Sequence, residues 1–215
     1  MLGIVLLSVA GTLVAAPAPL TPTFRVDAWS TEDELPRSSV IAITQTRDGY
    51  LWLGTLSGLV RFDGNRFTVF DESNTPELGS SRIVFLFEDS RANLWVGTEG
   101  AGVALVRQGQ IVSLDIGRGS RNGRVVSASE DKDGAVWLYT ADGQLCRHHE
   151  GRIDIWRLGA ERFSVLRAVA AEKSGQVWVA TDWALLALDP PDPQSPSLPP
   201  RSTPMPVSRV DFLLA

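Results

Sequence analysis

The chain has 215 residues, and its 25 Asp+Glu outweigh 20 Lys+Arg to give a net charge of −5. With 44% hydrophobic residues it is a folding chain, and the acidic balance leaves no basic face for nucleic acid or anionic lipid. A single Cys and two His exclude an internal disulfide framework and a Cys-rich zinc site, and leave little material for a metal or triad enzyme.

Residues 1–23 come first and lack charge; Arg25 is the first charged residue. The apolar run Leu2 to Ala16 followed by Ala16-Pro17-Ala18 has the form of a secretory signal with a small-residue exit. No Lys or Arg precedes it, so an uncleaved N-terminal anchor or a buried segment stays open. The expected location is periplasmic or exported, with membrane anchoring through the N-terminus if the leader is retained.

Residues 24–189 are organised by a repeat. Trp52, Trp95, Trp137 and Trp178 recur at steps of 43, 42 and 41 residues. Their settings are Tyr50-Leu-Trp-Leu-Gly-Thr55, Asn93-Leu-Trp-Val-Gly-Thr98, Ala135-Val-Trp-Leu-Tyr-Thr140 and Gln176-Val-Trp-Val-Ala-Thr181. An apolar β-former precedes each by twelve residues: Val40, Ile83, Val125 and Leu166. Turns such as Asp48-Gly49, Asp133-Gly134 and Ser174-Gly175 separate the two, because Gly accepts the positive φ of a tight reversal. A third strand follows each Trp, as in Gly58 to Phe62 and Gly102 to Val106. Phe67 to Phe70, Ile111 to Leu114 and Ile153 to Trp156 supply a fourth in three of the units. No window holds a 3.6-residue period, so helix is nearly absent.

Four short antiparallel strands in about 42 residues make a β-propeller blade. The fold class is therefore all-β, a propeller of about four four-stranded blades forming an incomplete, open ring. Residues 190–206 hold eight of the thirteen Pro and are expected to be an extended loop, with a domain linker as the rival. Blade four then lacks a fourth strand. Residues 207–215 are expected to start a further, truncated blade, because Ser208-Arg-Val-Asp-Phe-Leu-Leu-Ala215 repeats Ser81-Arg-Ile-Val-Phe-Leu-Phe-Glu88 127 residues on. Phe24 to Trp29 lies where an orphan closing strand would lie.

The segment Val40-Ile-Ala-Ile-Thr-Gln-Thr-Arg-Asp-Gly-Tyr-Leu-Trp-Leu-Gly-Thr-Leu-Ser-Gly-Leu-Val-Arg-Phe-Asp-Gly64 resembles the two-component regulator propeller repeat. Ile83 to Val106 resembles it well; the third and fourth units, with Tyr139 and Ala180 at the Gly position, resemble it less. The resemblance implies the periplasmic ligand-sensing region of a membrane receptor. The output would be a histidine kinase, often hybrid, or a diguanylate cyclase. No such signalling output domain is recognisable in this chain.

Strand alternation places the turn between second and third strands at the same end as the connection to the next blade. That end is richer in varied polar and aromatic residues, and rigidly held variable loops are where binding sits. The ligand-binding candidates there are Glu99, Asp142, Asp182 and Trp183, for an unknown small ligand such as a carbohydrate on which Trp183 could stack. No catalytic residue, metal ligand or cofactor is assigned. His148 and His149 point to opposite faces of one strand, and Glu88-Asp89 and Glu130-Asp131 read as solvated turn charges. Two alternatives stay open: an exported propeller enzyme (lyase or hydrolase), or a self-associating binding scaffold forming a homodimer through unpaired strand edges.

Overall fold

The computed structural model describes residues 39–116, 123–157, 166–172, 176–181, 184–188 and 202–206, together with Val26 and Trp29. These form four four-stranded antiparallel sheets. The first is β1 (Val40–Gln45), β2 (Leu51–Thr55), β3 (Gly58–Phe62) and β4 (Phe67–Phe70). The second is β5 (Ile83–Glu88), β6 (Leu94–Thr98), β7 (Val103–Arg107) and β8 (Gln110–Leu114). The third is β9 (Val125–Glu130), β10 (Val136–Thr140), β11 (Gln144–His149) and β12 (Arg152–Arg157). The fourth is β13 (Leu166–Ala171), β14 (Val177–Thr181), β15 (Ala184–Leu188) and β16 (Ser202–Pro206). Strands pair in sequence order within each sheet, so every unit is an up-and-down meander. One 3-10 turn, Pro76–Leu78, is the helical element among the described residues, and none of their helices is long and apolar enough to cross a membrane.

The sheets stack face to face, because each is apolar on both sides. Trp52 and Leu59 of the first sheet pack on Ile83, Leu94 and Val96 of the second. Trp95 and Val103 of the second meet Val125, Val136, Leu138 and Cys146 of the third. Trp137, Tyr139 and Leu145 of the third meet Val169, Val177, Val179 and Leu186 of the fourth. Each of the first three sheets thus turns its repeat Trp toward the following sheet. Burying a large apolar side chain is worth about 1.5–3 kcal/mol, so one Trp per junction accounts for its place in the repeat. Among the described residues the first and fourth sheets share no packed cluster, and the ring is open.

Gly97 shows why a small residue follows the Trp in the second unit. A Cβ there would lie 2.9 Å from the Phe85 Cβ and 3.3 Å from the Val125 Cβ of the third sheet. In the third unit Tyr139 stands at this position and buries its ring between the third and fourth sheets.

The Pro-rich stretch differs from expectation at its end. Ser202–Pro206 is not loop but the outer strand of the fourth sheet, with Leu186 opposite Pro204 and Ala184 opposite Pro206. The physical reason is spacing. Two Pro two residues apart have their nitrogens on the same edge of the strand, so on an outermost strand both missing N–H groups can face away from the ladder. The fourth unit is therefore a complete four-stranded sheet. Residues 1–23 and 207–215 lie outside the described residues; of the proposed closing strand, Trp29 sits edge-on to Phe62 with ring centroids 5.1 Å apart.

Candidate functional site

The first-strand ends carry a repeated polar device. Each repeat Trp donates its indole N–H to an oxygen six residues earlier. The distances are 3.2 Å for Trp52 to Thr46 Oγ1, 2.9 Å for Trp95 to Asp89 Oδ2, 2.8 Å for Trp137 to Asp131 Oδ2 and 2.7 Å for Trp178 to Glu172 Oε1. Asp89 also accepts the backbone N–H groups of Arg91 (3.0 Å) and Asn93 (2.9 Å), and Asp131 those of Asp133 (3.0 Å) and Ala135 (2.9 Å). One carboxylate thus closes the turn and satisfies the buried ring.

The preceding residue links neighbouring sheets. Glu88 accepts the Arg47 N–H at 3.0 Å; Glu130 accepts the Ser90 N–H at 2.7 Å and its hydroxyl at 2.5 Å. These four carboxylates are structural ties, not solvated turn charges. Buried indole and turn N–H groups need acceptors, and these side chains supply them.

At the opposite end stand the expected ligand residues. Glu99 follows β6, donates its backbone N–H to the Arg82 carbonyl at 2.9 Å and pairs its carboxylate with the Arg82 guanidinium. That hydrogen bond holds the Glu99 carboxyl below the usual carboxylate range, and the charges of Arg82 and Arg124 act in the same direction. Asp142 lies in the turn between β10 and β11, where it accepts the Thr140 hydroxyl at 2.6 Å and the Gln144 amide at 3.2 Å. In the same turn the Ala141 N–H donates to the Arg124 carbonyl at 2.8 Å. Both carboxylates already hold donors from their own chain. Asp182 and Trp183 lie outside the described residues.

A groove of about 1080 Å³ opens at the hairpin-turn end between the outer strands of the first sheets. Its walls include Asp48, Tyr50, Trp52, Arg61, Phe70 and Arg91. Trp52 and Phe70 are stacked with centroids 5.9 Å apart. The Arg61 guanidinium lies 4.6 Å from the Tyr50 ring centroid, 5.9 Å from Trp52 and 6.0 Å from Phe70. These are cation–π distances. Among the described residues no hydrogen bond or ion pair engages this guanidinium, so its N–H groups remain available to an anionic or hydroxylated ligand.

The third sheet repeats the arrangement, with Arg147 5.7 Å from the Trp137 ring and Trp156 stacked on Trp137 at 5.9 Å. Sequence reasoning passed over Arg61, although strand register places it opposite Trp52 as Arg147 is opposite Trp137.

The His pair is split as expected. His148 meets the Trp95 ring edge-on at 5.1 Å, and His149 Nε2 lies 3.3 Å from the Asp133 carbonyl oxygen. Burial lowers the His148 pKa, partly offset by the charge of Asp89. Cys146 is buried, places its thiol 3.7 Å from the Ile116 carbonyl oxygen and has its pKa pushed up to about 12 by burial. Among the described residues no group of three or more His, Cys, Asp and Glu side chains is placed to hold a metal ion.

Stacked four-stranded meanders with a Trp at each junction define an open β-propeller. The family model of the two component regulator propeller matches residues 34–57. Histidine kinase P4 of Formosa agariphila is 47% identical over 49 residues, which are 23% of this chain and 3% of that protein. The extracellular domain assigned to a hybrid two component system of B. thetaiotaomicron superposes with a TM-score of 0.62 at 20% identity, over 87% of this chain and 25% of that one. A virginiamycin B lyase from Staphylococcus aureus gives 0.60 at 16% identity, over 81% of this chain and 57% of the lyase. The two structures share the fold. The chain spans only a small part of the kinase, a quarter of the extracellular domain and rather more than half of the lyase.

Proposed function

We propose that this chain is part of the exported ligand-recognition propeller of a two-component-type receptor, and that it binds its ligand without transforming it. The observation that carries the reading is the repeat itself, matched at residues 34–57 and recurring four times in phase. The extracellular location is that of the structural relatives from B. thetaiotaomicron. The proposed ligand is a small molecule of carbohydrate type, and the signalling output would be carried by another part of the receptor.

Two surfaces compete for the ligand. The loop end offers Glu99, Asp142, Asp182 and Trp183; the groove offers Arg61 framed by aromatic rings. Calorimetric titration with monosaccharides, uronic acids and short oligosaccharides tests the reading. The expected result is saturable binding by one sugar class. Loss in Glu99→Gln with Asp142→Asn assigns the loop end, and loss in Arg61→Gln assigns the groove. No binding by any of the three sugar classes would overturn the carbohydrate assignment.

A further inference from the structure

The groove beside Arg61 lies inside the stack, where the first sheet meets the second, and its lining residues all belong to the first three sheets and their turns. Register sets Trp52, Arg61 and Thr68 side by side across β2, β3 and β4, on one face of the first sheet. Tyr50 and Phe70, each two residues along from a member of that row, share the face. Their rings and that of Trp52 surround the guanidinium at cation–π distance.

Packing against the repeat Trp does not need a charge. In the second sheet Leu105 stands opposite Trp95 and is buried. The charge of Arg61 also lacks a counter-ion. Asp48 accepts the Thr46 hydroxyl at 2.5 Å, and Glu88 accepts the Arg47 N–H at 3.0 Å. Both carboxylates of the groove wall are thus engaged by turns, and Arg61 forms no ion pair among the described residues.

The third sheet supplies the contrast. Its equivalent cation, Arg147, also lies beside the repeat Trp, and the residue directly opposite it on the outer strand is Asp154. That carboxylate is largely buried and bonded to Arg152 Nε at 2.9 Å. At the same place in the first sheet stands Thr68, which is exposed and uncharged. One cation–aromatic cluster therefore has a carboxylate on the neighbouring strand, and the other has an open groove.

We propose that Arg61 receives the carboxylate of a uronic acid, with the sugar ring in the groove against the aromatic wall. The inference rests on the carbohydrate reading above and deepens it, by committing to the groove and to an acidic sugar. A guanidinium fork holds a planar carboxylate through two parallel N–H···O bonds. The surrounding rings keep water from the pair, which strengthens those bonds.

Calorimetric titration with glucuronate and galacturonate, set against glucose and the methyl esters of both acids, tests it. One of the two acids is expected to bind saturably, and its neutral methyl ester at least about tenfold more weakly. Arg61→Gln should weaken binding of the acid at least about tenfold, while Glu99→Gln with Asp142→Asn leaves it unchanged. Thr68→Asp gives the first sheet the carboxylate that the third already has, and should also weaken binding at least about tenfold. Thr68 is exposed, so this variant is expected to fold, as circular dichroism would show, and it keeps the test decisive if Arg61→Gln does not fold. Glucose or a methyl ester binding as tightly as the acid would overturn the inference and leave the carbohydrate reading standing. So would a sulfated glucose binding more tightly than either acid, or acid binding that neither Arg61→Gln nor Thr68→Asp weakens. Absence of binding by every one of these sugars would overturn both.

Discussion

Asp89→Ala is the perturbation that probes the fold's repeated device most sharply. Asp89 is 3% exposed and accepts from the Trp95 indole, the Arg91 and Asn93 backbone N–H groups and the Asn93 amide. Removing its carboxylate strands the Trp95 indole N–H, which is buried with its ring at 1% exposure. A buried donor left unpaired costs about 1–3 kcal/mol. The two turn N–H groups are less buried and lose a cap worth about 1 kcal/mol by analogy with helix caps. The sum is roughly 2–4 kcal/mol, or a melting temperature lower by about 4–16 °C for a domain of this size. Asp89→Asn keeps one acceptor oxygen and should lose about half as much. Thr46→Val strands the Trp52 indole N–H in the same way but removes no acceptor of turn N–H groups, and should cost about 1–3 kcal/mol, less than Asp89→Ala. Urea unfolding followed by Trp fluorescence gives all three values on one scale. The reasoning fails if Asp89→Ala costs no more than Thr46→Val, for the carboxylate would then be a surface charge after all.

Three further outcomes follow from the same structure. Burial lowers the His148 pKa in the folded state, so the unfolded chain binds the extra proton. Stability from this group is full above about pH 6.5, the ordinary His value, and falls as pH drops below it. His148→Phe should flatten the melting curve between pH 7.5 and 5.5, and an unchanged slope would count against burial as the cause. Cys146, with its pKa at about 12, should resist a thiol reagent at pH 8 until urea unfolds the chain, as mass labelling would show. Gly97→Ala should cost about 1–3 kcal/mol in urea unfolding, because its Cβ would overlap Phe85. Gly109→Ala gives the contrast: its Cβ meets nothing within 4 Å and its φ of +77° makes it a test of backbone strain alone.

The strands were legible because the repeat supplies four readings of one pattern. A single Trp-Leu-Gly-Thr run is ambiguous, but four in phase tie strand two to the turn before it and the strand after it. Ser202–Pro206 was not legible because local chemistry opposes strand, and only its outermost place in the fourth sheet makes two Pro tolerable. Asp89 and Asp131 were legible in principle, since a fixed six-residue spacing to Trp recurs in the sequence. Their burial depends on the adjoining sheet, which no local pattern shows. The site was least legible. Glu99 turned out to be held by Arg82 seventeen residues earlier, and the aromatic frame of Arg61 is assembled from β2, β3, β4 and the turn before β2.

The central claim, recognition without chemistry, is tested most directly by mass spectrometry of a bound sugar after long incubation with the purified chain. The account predicts that the sugar bound in the calorimetric titration is recovered at its original mass and in full amount. Time-dependent appearance of a cleaved or eliminated product, lost when the chain is heat-denatured, would contradict it and place this propeller with the enzymes of its fold.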